Sequence, residues 1–248
     1  MSQADLPASG EMSPAVAGQL VALNQAFYAR LAEPFARSRQ APQPGFARLR
    51  TYLARPGPAL LDVGCGEGRL GRYLWAQQAI SAYAGLDFSA ALLDQARATV
   101  AGQFWRRDLT RPGCLDDLGP FGAIACLSTL QHVPGRGNRQ RLVAEMAAHL
   151  LPGGLLLLAN WQFLDSPRQR RKVADWAAIG LAADDVEPGD YLLTWQRGGF
   201  GLRYVCLLDL ATTEGLVIPA GLQLVDHYRS DGREGDLNLY SIWRAANG

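Results

Sequence analysis

Three aspartates at the ends of short apolar segments are the residues of this chain best suited to bind a ligand. Short apolar runs flanked by turn formers predict buried strands, and open α/β sheets bind ligands outside the carboxyl ends of their strands. Asp87 stands about twenty residues after a glycine loop, where such sheets place the carboxylate that binds ribose hydroxyls. We therefore predict a nucleoside site. Its acids are Asp62, Asp87 and Asp108, on or directly after the segments Ala59–Val63, Tyr83–Leu86 and Gly102–Arg107.

A loop with alternating glycines follows the first predicted strand. Gly64, Gly66 and Gly68 are separated by single residues, and a helical pattern of apolar side chains begins at Leu70. Glycine allows a backbone turn with positive φ and a close approach of a ligand to the main chain. A helix N-terminus adds free N–H groups. The spacing differs from the G-x-G-x-x-G of a pyrophosphate loop, which disfavours a nicotinamide-dependent dehydrogenase. We interpret strand, loop and helix together as a nucleotide site.

The glycine loop and the acid at the end of each strand resemble the class I S-adenosylmethionine (SAM) methyltransferases. The resemblance implies SAM as the cofactor and a Rossmann-like α/β fold, a doubly wound seven-stranded sheet with an antiparallel C-terminal hairpin. It also implies that Asp62 and the glycine loop lie near the methionine end of SAM, Asp87 at the ribose, and Asp108 with Leu109 at the adenine. The residues expected to contact the cofactor are Asp62, Gly64, Cys65, Gly66, Gly68, Asp87, Phe88, Asp108, Leu109 and Leu127.

The hydrophobic patterns place these residues within alternating strands and helices. Repeated βα units predict a parallel sheet with helices on both faces. The further predicted strands are Gly122–Leu127, Leu155–Ala159, Leu222–Tyr228 and Leu237–Trp243, of which the last two form the hairpin. The predicted helices are Val16–Phe35, Phe46–Leu53, Leu70–Gln78, Ala90–Val100, Arg139–Leu150 and Asp209–Val217.

The same patterns divide the chain into a core and accessory parts. Residues 1–15 are rich in Ser, Ala, Pro and Gly and are expected to be a disordered lead-in. Residues 16–56 are expected to form an N-terminal helical cap over the cofactor mouth, and residues 57–163 and 204–246 the SAM-binding core. The alternation breaks over residues 164–203, which are too few to form a core of their own. We interpret them as an insertion on the substrate side.

Composition and charge exclude several classes of protein. The 248 residues are 48% hydrophobic and 19% charged with a net charge of +1, which gives no global attraction to nucleic acid or membranes. The four cysteines show no metal-ligand spacing and fit free thiols in a reducing cytosol. Residues 1–15 lack the pattern of a signal peptide, and the longest apolar run, Leu155–Ala159, is far too short to span a bilayer. We expect a cytoplasmic protein without a metal or a membrane partner.

The residues after the fourth predicted strand are the first place to expect substrate contacts, because they follow the carboxyl end of that strand. Of the three histidines, His132 alone falls there, while His149 and His227 are expected to be structural. Methyl transfer is an in-line displacement in which the protein brings the nucleophile to the methyl group. An amine or hydroxyl acceptor must also lose a proton, for which His132 is the candidate base. A carboxylate acceptor is already ionised at neutral pH.

Several dispersed segments are similar to the tRNA wobble-uridine carboxymethyl methyltransferases, which esterify 5-carboxymethyluridine in the anticodon. The similar segments are Phe35–Pro44, Leu130–His132, Gly189–Trp195 and Arg203–Cys206. The resemblance implies that His132 and Arg39 flank the acceptor as catalytic residues, with Arg37, Arg203 and Tyr204 lining the substrate site. The planar guanidinium of Arg39 suits a carboxylate, which it can bind through two hydrogen bonds. The resemblance also implies tRNA as a partner. Eukaryotic members of that family work with a small zinc-binding subunit, and no feature of this sequence indicates whether such a subunit is needed.

Two alternatives remain open at this point. The first is methyl transfer to a small metabolite, favoured by the near-neutral charge and by four departures from the family pattern, at Gln43, Gln131, Thr194 and Cys206. The second is a SAM-fold scaffold without catalytic activity, against which the intact glycine loop and acids argue. The basic cluster from Arg168 to Lys172 is either a phosphate contact for tRNA or a solvated helix face.

Overall fold

A mixed sheet of seven strands forms the centre of the computed structural model. The structure describes residues 11–37, 41–53, 55–196 and 198–247, and of residues 32–37 it describes only the main chain. The strands in chain order are β1 (Ala59–Val63), β2 (Ala82–Asp87), β3 (Gln103–Arg106), β4 (Phe121–Leu127), β5 (Leu150–Trp161), β6 (Val173–Ala174), β7 (Asp190–Trp195), β8 (Gly201–Cys206), β9 (Gln223–Ser230) and β10 (Asn238–Arg244). The α-helices of the described ranges are α1 (Pro14–Arg37), α2 (Gly45–Leu49), α3 (Arg69–Ala76), α4 (Ala90–Thr99), α5 (Arg136–Ala148), α6 (Pro167–Arg170) and α7 (Leu210–Val217).

The seven-stranded sheet has the strand order β3-β2-β1-β4-β5-β10-β9. The first five strands in this order run parallel, and β10 is antiparallel to both β5 and β9. The chain order reverses between β1 and β4, so the loops that leave their carboxyl ends diverge and open a crevice. The doubly wound α/β fold with an antiparallel C-terminal hairpin, predicted from the sequence, is confirmed.

The central strands contribute to two separate hydrophobic cores because successive side chains point to opposite faces of the sheet. In β1, Leu61 and Val63 face the core covered by α1, α5 and α7, while Leu60 faces the core covered by α2 and α3. In β5, Leu156 and Leu157 divide between the two cores in the same way. Both faces are therefore apolar, which explains why these strands are continuous apolar runs in the sequence.

The long helix α1 bends near its C-terminal end. Leu31 has a φ of −116° and a ψ of 15°, outside the helical range. Pro34 has no N–H to bond the carbonyl oxygen of Arg30, so the bend follows from the sequence. Helix α1 packs against β8. Neither α1 nor any other helix in the described ranges is long and apolar enough to cross a membrane.

The segment 164–203, for which the sequence pattern predicted no strands, contributes to a second sheet. Strands β6, β7 and β8 form an antiparallel three-stranded sheet. The pattern missed them because β6 has two residues and neither β7 nor β8 alternates strictly between buried and exposed positions. Strand β8 continues to Cys206. The boundary predicted between the insertion and the core, between residues 203 and 204, therefore divides a strand.

The boundary between α5 and β5 also differs from the prediction. Helix α5 ends at Ala148, and β5 begins at Leu150 rather than at Leu155. The sequence Pro152-Gly153-Gly154 separates Leu150 from the predicted start of the strand at Leu155. In the structure it lies within β5, where the pairing with β4 shifts its register between Phe121 and Ala123. This irregularity accommodates the proline and glycines inside a strand.

Candidate functional site

A cavity opens at the carboxyl ends of β1, β2 and β4, where the strand order reverses. The predicted cofactor residues that line it are Asp62, Gly64, Cys65, Gly66, Asp87, Phe88, Asp108, Leu109 and Leu127. Gly68 does not line it. Gly68 has a φ of 77° at the start of α3, and a Cβ there would stand 2.7 Å from Cγ2 of Val100. The structure thus brings the predicted cofactor residues around one cavity, with Gly68 packed behind it.

The glycine loop presents its main chain to this cavity. Gly64 and Gly66 have φ values of 78° and 55°, which residues with side chains rarely adopt. The N–H groups of Gly64 and Cys65 both donate to the carbonyl oxygen of Leu86, at 2.7 and 2.9 Å, and tie the loop to β2. A Cβ on Gly64 would lie 2.2 Å from Oγ1 of Thr129, whereas one on Gly66 would meet nothing within 4 Å. The main chain at Gly66 therefore borders open space.

The carboxylate of Asp87 is buried at the end of β2 and fixed by two main-chain donors. Oδ2 accepts a hydrogen bond from the N–H of Gly66 and Oδ1 one from the N–H of Ser89, both at 2.9 Å. Burial raises the pKa of Asp87 to about 6, and these hydrogen bonds oppose the shift. A carboxylate has about four lone-pair positions, so both oxygens can also accept hydroxyl groups from the cavity side.

Two further carboxylates on the cavity wall have different surroundings. Asp62 is buried in β1, and its Oδ2 accepts a hydrogen bond from the hydroxyl of Tyr83 at 2.7 Å. Burial raises the pKa of Asp62 to about 7 against the effect of that hydrogen bond, and neighbouring carboxylates add to the shift. Asp108 is half-buried, and its Oδ1 accepts from the N–H and the hydroxyl of Thr110 at 3.0 and 2.6 Å. A wall with several acids favours a positively charged ligand.

His132, predicted as an acceptor-side residue, lies in the turn after β4 and lines the same cavity. Its Nδ1 is 3.0 Å from the main-chain carbonyl oxygen of Tyr204, and its Nε2 is 3.3 Å from the hydroxyl of Tyr28. A carbonyl oxygen only accepts, so in the neutral ring Nδ1 carries the hydrogen and Nε2 is the acceptor. The ring packs edge-to-face on Trp161 with 5.5 Å between centroids.

Comparison with known proteins agrees with this geometry. A model of the family described as a methyltransferase domain matches residues 61–156, which carry the glycine loop, Asp87 and Asp108. This part of the chain is a class I SAM-dependent methyltransferase domain. The cofactor predicted from the sequence, SAM, is the cofactor of that domain.

Two relatives show how far the sequence similarity of the methyltransferase domain extends. The chain is 36% identical over 128 residues to ribosomal RNA small subunit methyltransferase C of Chromohalobacter salexigens, which is 48% of this chain and 37% of the relative. It is 31% identical over 127 residues to probable tRNA methyltransferase 9B of Bos taurus, 50% of this chain and 26% of the relative. The match thus spans well under half the length of either relative.

A solved structure with bound SAM has the same fold. CalS10, an amino pentose methyltransferase from Micromonospora echinaspora, matches with a TM-score of 0.58 at 21% identity, covering 85% of this chain and 95% of that one. At this identity the likeness concerns the fold, and the share of this chain that it covers is larger than the methyltransferase domain of residues 61–156.

The cavity of the methyltransferase domain fits SAM in its chemistry. The main chain at Gly66 borders open space, and Asp87 has lone pairs left for the two ribose hydroxyls. The acid-rich wall suits a sulfonium cation. Across the described residues, no group of three or more His, Cys, Asp or Glu side chains could hold a metal ion.

Several cavity residues were not identified from the sequence. Four come from one face of α1 at helical spacing: Val21, Asn24, Gln25 and Tyr28. Glu67 and Arg69 come from the glycine loop and the start of α3. The signal in α1 was a pair of polar positions, Asn24 and Gln25, beside an otherwise apolar stripe. The signal in the loop was a pair of oppositely charged residues, but the prediction there was based only on the spacing of the glycines.

Arg203, predicted to line the substrate site, lies in β8 behind the cavity wall. Its guanidinium carbon is 4.4 Å from the ring centroid of Trp161, 5.3 Å from that of Trp195 and 5.4 Å from that of Phe27. Arg203 is 5% exposed, and in the described part of the chain its Nε and Nη1 have no hydrogen-bond partner. Burial lowers the pKa of Arg203, and the hydroxyl of Tyr28 opposes that shift. Among the described residues no carboxylate forms an ion pair with Arg203.

Tyr204, the second residue predicted from β8, is buried in a polar network away from the cavity. Its hydroxyl donates to Oδ1 of Asp190 at 2.6 Å and accepts from Nη1 of Arg139 at 2.9 Å. The side chain of Asn24 holds its main chain, accepting from the N–H at 2.8 Å and donating to the carbonyl oxygen at 3.2 Å. Tyr204 thus contacts the site through its main chain, which positions His132.

Two predicted acceptor-side residues have no described side chains. Arg39 lies outside the described residues. For Arg37, the last residue of α1, only the main chain is described. Their roles, catalytic for Arg39 and substrate-binding for Arg37, stay predictions.

Proposed function

We propose that the protein transfers the methyl group of SAM to a carboxylate oxygen, and that this carboxylate belongs to a carboxymethyl group on the wobble uridine of a tRNA. The observation that carries the proposal is the buried cation of Arg203. It has no carboxylate partner among the described residues and stands directly behind Tyr28 on the cavity wall. A buried guanidinium without an anion is unfavourable. A carboxylate bound at this end of the cavity supplies the missing charge.

On the cofactor side, we assign the ribose hydroxyls to Asp87, the adenine to Asp108 and Leu109, and the methionine end to Asp62 and the glycine loop. The assignment of Asp87 is supported by its two main-chain donors, which fix both carboxylate oxygens before a ligand arrives. When bound, SAM supplies a methyl group on a positively charged sulfur. The acids of the wall stabilise that charge.

On the acceptor side, Tyr28 connects Arg203 to the cavity. A hydroxyl hydrogen rotates to suit its acceptor, so Tyr28 can donate either to Nε2 of His132 or to a carboxylate in the cavity. The nearby charge of Arg203 strengthens that donor. A carboxylate is ionised at neutral pH, so the chain needs to orient it for in-line attack. His132 then acts by positioning Tyr28, and no base is required.

The tRNA part of the proposal is supported by the closer resemblance of four segments of the sequence and by one relative that bears the name of a tRNA methyltransferase. Arg168, Arg170 and Arg171 follow β5 and are exposed, close in sequence to the carboxyl edge of the sheet where the cavity opens. Phosphate groups of a polynucleotide are natural partners for arginines in that place.

A small carboxylic acid is the second candidate acceptor. The net charge of +1 gives little long-range attraction to a polyanion, which favours a small ligand. Arg203 is an equally suitable partner for a small acid, because its cation attracts the carboxylate and not the nucleotide. The two candidates therefore differ in the molecule that carries the carboxylate, and not in the chemistry.

Incubation with SAM carrying a tritiated methyl group separates the candidates. The proposal expects label in bulk tRNA, and mild alkali should release it as methanol because a methyl ester hydrolyses where an N- or C-methyl group does not. Label that survives alkali contradicts a carboxylate acceptor. Label confined to small acids of a cell extract favours the second candidate.

Two matched variants test the role of Arg203 in the same assay. Arg203→Met should lower transfer while binding of S-adenosylhomocysteine (SAH) is retained. Arg229→Met, at an exposed residue paired with Asp165, should leave both unchanged. Equal transfer by the two variants would remove the argument for a carboxylate acceptor.

A further inference from the structure

The glycine loop carries a buried carboxylate with an unsatisfied oxygen. Glu67 is 8% exposed and lines the cavity, and its Oε1 has no hydrogen-bond partner among the residues that the structure describes. Its negative charge also contributes to the raised pKa values of Asp62 and Asp87, after the larger effect of burial. A buried carboxylate oxygen without a donor is unfavourable. This part of the cavity is therefore incomplete without a positively charged donor.

A buried arginine stands two residues further along the chain. Arg69 opens α3 and lines the same cavity, with its guanidinium carbon 5.8 Å from the ring centroid of Phe46. Burial lowers the pKa of Arg69, and the charge of Glu67 opposes that shift. Within the described part of the chain, Arg69 forms no ion pair with a carboxylate, Glu67 included. The cavity wall thus holds one acid and one base that do not contact each other directly.

Two separated charges of opposite sign beside an open main-chain loop match a zwitterion. SAM ends in an α-amino acid group, which carries an ammonium and a carboxylate on the same carbon. We propose that Glu67 binds the α-ammonium group of the cofactor and Arg69 its α-carboxylate. The inference rests on SAM as the cofactor of the proposed function and is independent of the methyl acceptor.

The other acids of the cavity are less suited to the ammonium group. Asp62 already accepts the hydroxyl of Tyr83, and each oxygen of Asp87 already accepts a main-chain N–H. Glu67 is the carboxylate of this wall with a buried oxygen for which no partner is found among the described residues. An ammonium group there forms charge-assisted hydrogen bonds and reduces the repulsion among the three neighbouring acids.

Calorimetric titration with three ligands tests this assignment without methyl transfer. SAH keeps the whole amino acid end, its decarboxylated analogue keeps only the ammonium group, and 5′-methylthioadenosine lacks both charges. The unaltered protein should bind SAH most tightly. Glu67→Gln should weaken SAH binding about 10- to 100-fold, the value of one charge-assisted hydrogen bond, and leave methylthioadenosine binding unchanged. Arg69→Gln should weaken SAH binding similarly and leave the decarboxylated analogue unaffected.

Two control variants carry the same substitutions at exposed positions, Glu234→Gln and Arg233→Gln, and should bind all three ligands like the unaltered protein. Equal loss of SAH and methylthioadenosine binding in Glu67→Gln would mean that Glu67 shapes the loop, and unchanged SAH binding would remove it from the site. If the unaltered protein binds methylthioadenosine as tightly as SAH, the proposal is wrong. Absence of SAH binding contradicts the cofactor and this proposal together, whereas absence of transfer to tRNA leaves this proposal standing.

Discussion

The Nδ1 atom of His132 lies 3.0 Å from the main-chain carbonyl oxygen of Tyr204. His132 follows a strand of the large sheet, while Tyr204 lies in the small sheet formed by β6, β7 and β8. The carbonyl oxygen fixes the hydrogen on Nδ1 and leaves Nε2 to accept the hydroxyl of Tyr28. The inserted sheet thus contacts the site through a main-chain atom, and the proposed function adds the cation of Arg203 behind Tyr28.

Replacing His132 by alanine should lower methyl transfer and leave SAH affinity nearly unchanged. If His132 only positions Tyr28, the loss of one hydrogen bond should reduce kcat about 3- to 10-fold. A general base contributes about 10²- to 10⁴-fold, so a loss of that size would indicate an acceptor that must shed a proton. Steady-state kinetics and SAH titration measure both effects. Loss of SAH binding would contradict the division into a cofactor side and an acceptor side.

Asn24→Ala should destabilise the protein and weaken acceptor use more than cofactor binding. The amide of Asn24 binds both the N–H and the carbonyl oxygen of Tyr204. Without it the buried N–H has no acceptor, which costs about 1–3 kcal/mol, and the carbonyl oxygen loses one of its two donors but keeps His132, which costs about 0.5–1.5 kcal/mol. We expect the free energy of unfolding, measured with urea, to fall by about 2–4 kcal/mol. Gln19→Ala is the control, because its side chain donates to an exposed carbonyl of Ile179. Equal stability of the two variants would contradict this role for Asn24.

Asp87→Ala should abolish detectable SAH binding. Two ribose hydroxyls would lose a charged acceptor, and each such hydrogen bond contributes about 1.5–3 kcal/mol. The N–H groups of Gly66 and Ser89 would also lose their partner, so the melting temperature should fall. Asp117→Asn, at an exposed residue paired with Arg107, is a control that should bind SAH normally. Retention of SAH affinity in Asp87→Ala would place the ribose elsewhere.

The affinity for SAM should rise with pH between about 5.5 and 8. Burial raises the pKa of Asp62 to about 7 and that of Asp87 to about 6, whereas an unfolded aspartate has a pKa of about 3.9. Between the unfolded pKa of about 3.9 and the folded values of about 6 and 7, the folded protein binds more protons than the unfolded chain. Its free energy of unfolding should therefore fall as pH rises from about 4 to 7. A cationic ligand favours the ionised acids, so binding should release protons.

Calorimetry in two buffers of different ionisation enthalpy measures that proton release. The expected result at about pH 6.5 is net release on SAM binding, smaller in Asp62→Asn. Proton uptake, or an affinity that falls between about pH 5.5 and 8, would contradict the assignment of these acids to the cofactor.

The acids were identifiable from the sequence because a strand end is a local feature. Asp62 and Asp87 follow or end apolar runs whose length and flanking turns define the strands, and the parallel order of those strands then brings the acids together. Glu67 was not identifiable in the same way. Its charge is visible in the sequence, but its burial depends on the elements packed around the loop, which a local pattern does not contain.

The position of Arg203 could not be predicted from a local sequence pattern either. The resemblance indicated that the residue belongs near the substrate, and the structure places it behind Tyr28, packed on Trp161 and Trp195. That position results from the contact between α1 and β8, which are far apart in the sequence. Strands β7 and β8 were missed for a related reason, since tertiary contacts bury most of their side chains on both faces and leave no strict alternation.

A crystal structure of the protein with SAH tests the central claim most directly. We predict both ribose hydroxyls within hydrogen-bond distance of Asp87, the adenine beside Asp108 and Leu109, and the homocysteine sulfur facing the cavity toward Tyr28. A nucleoside bound away from these three acids, or a cavity that accepts a dinucleotide diphosphate in its place, would contradict the account.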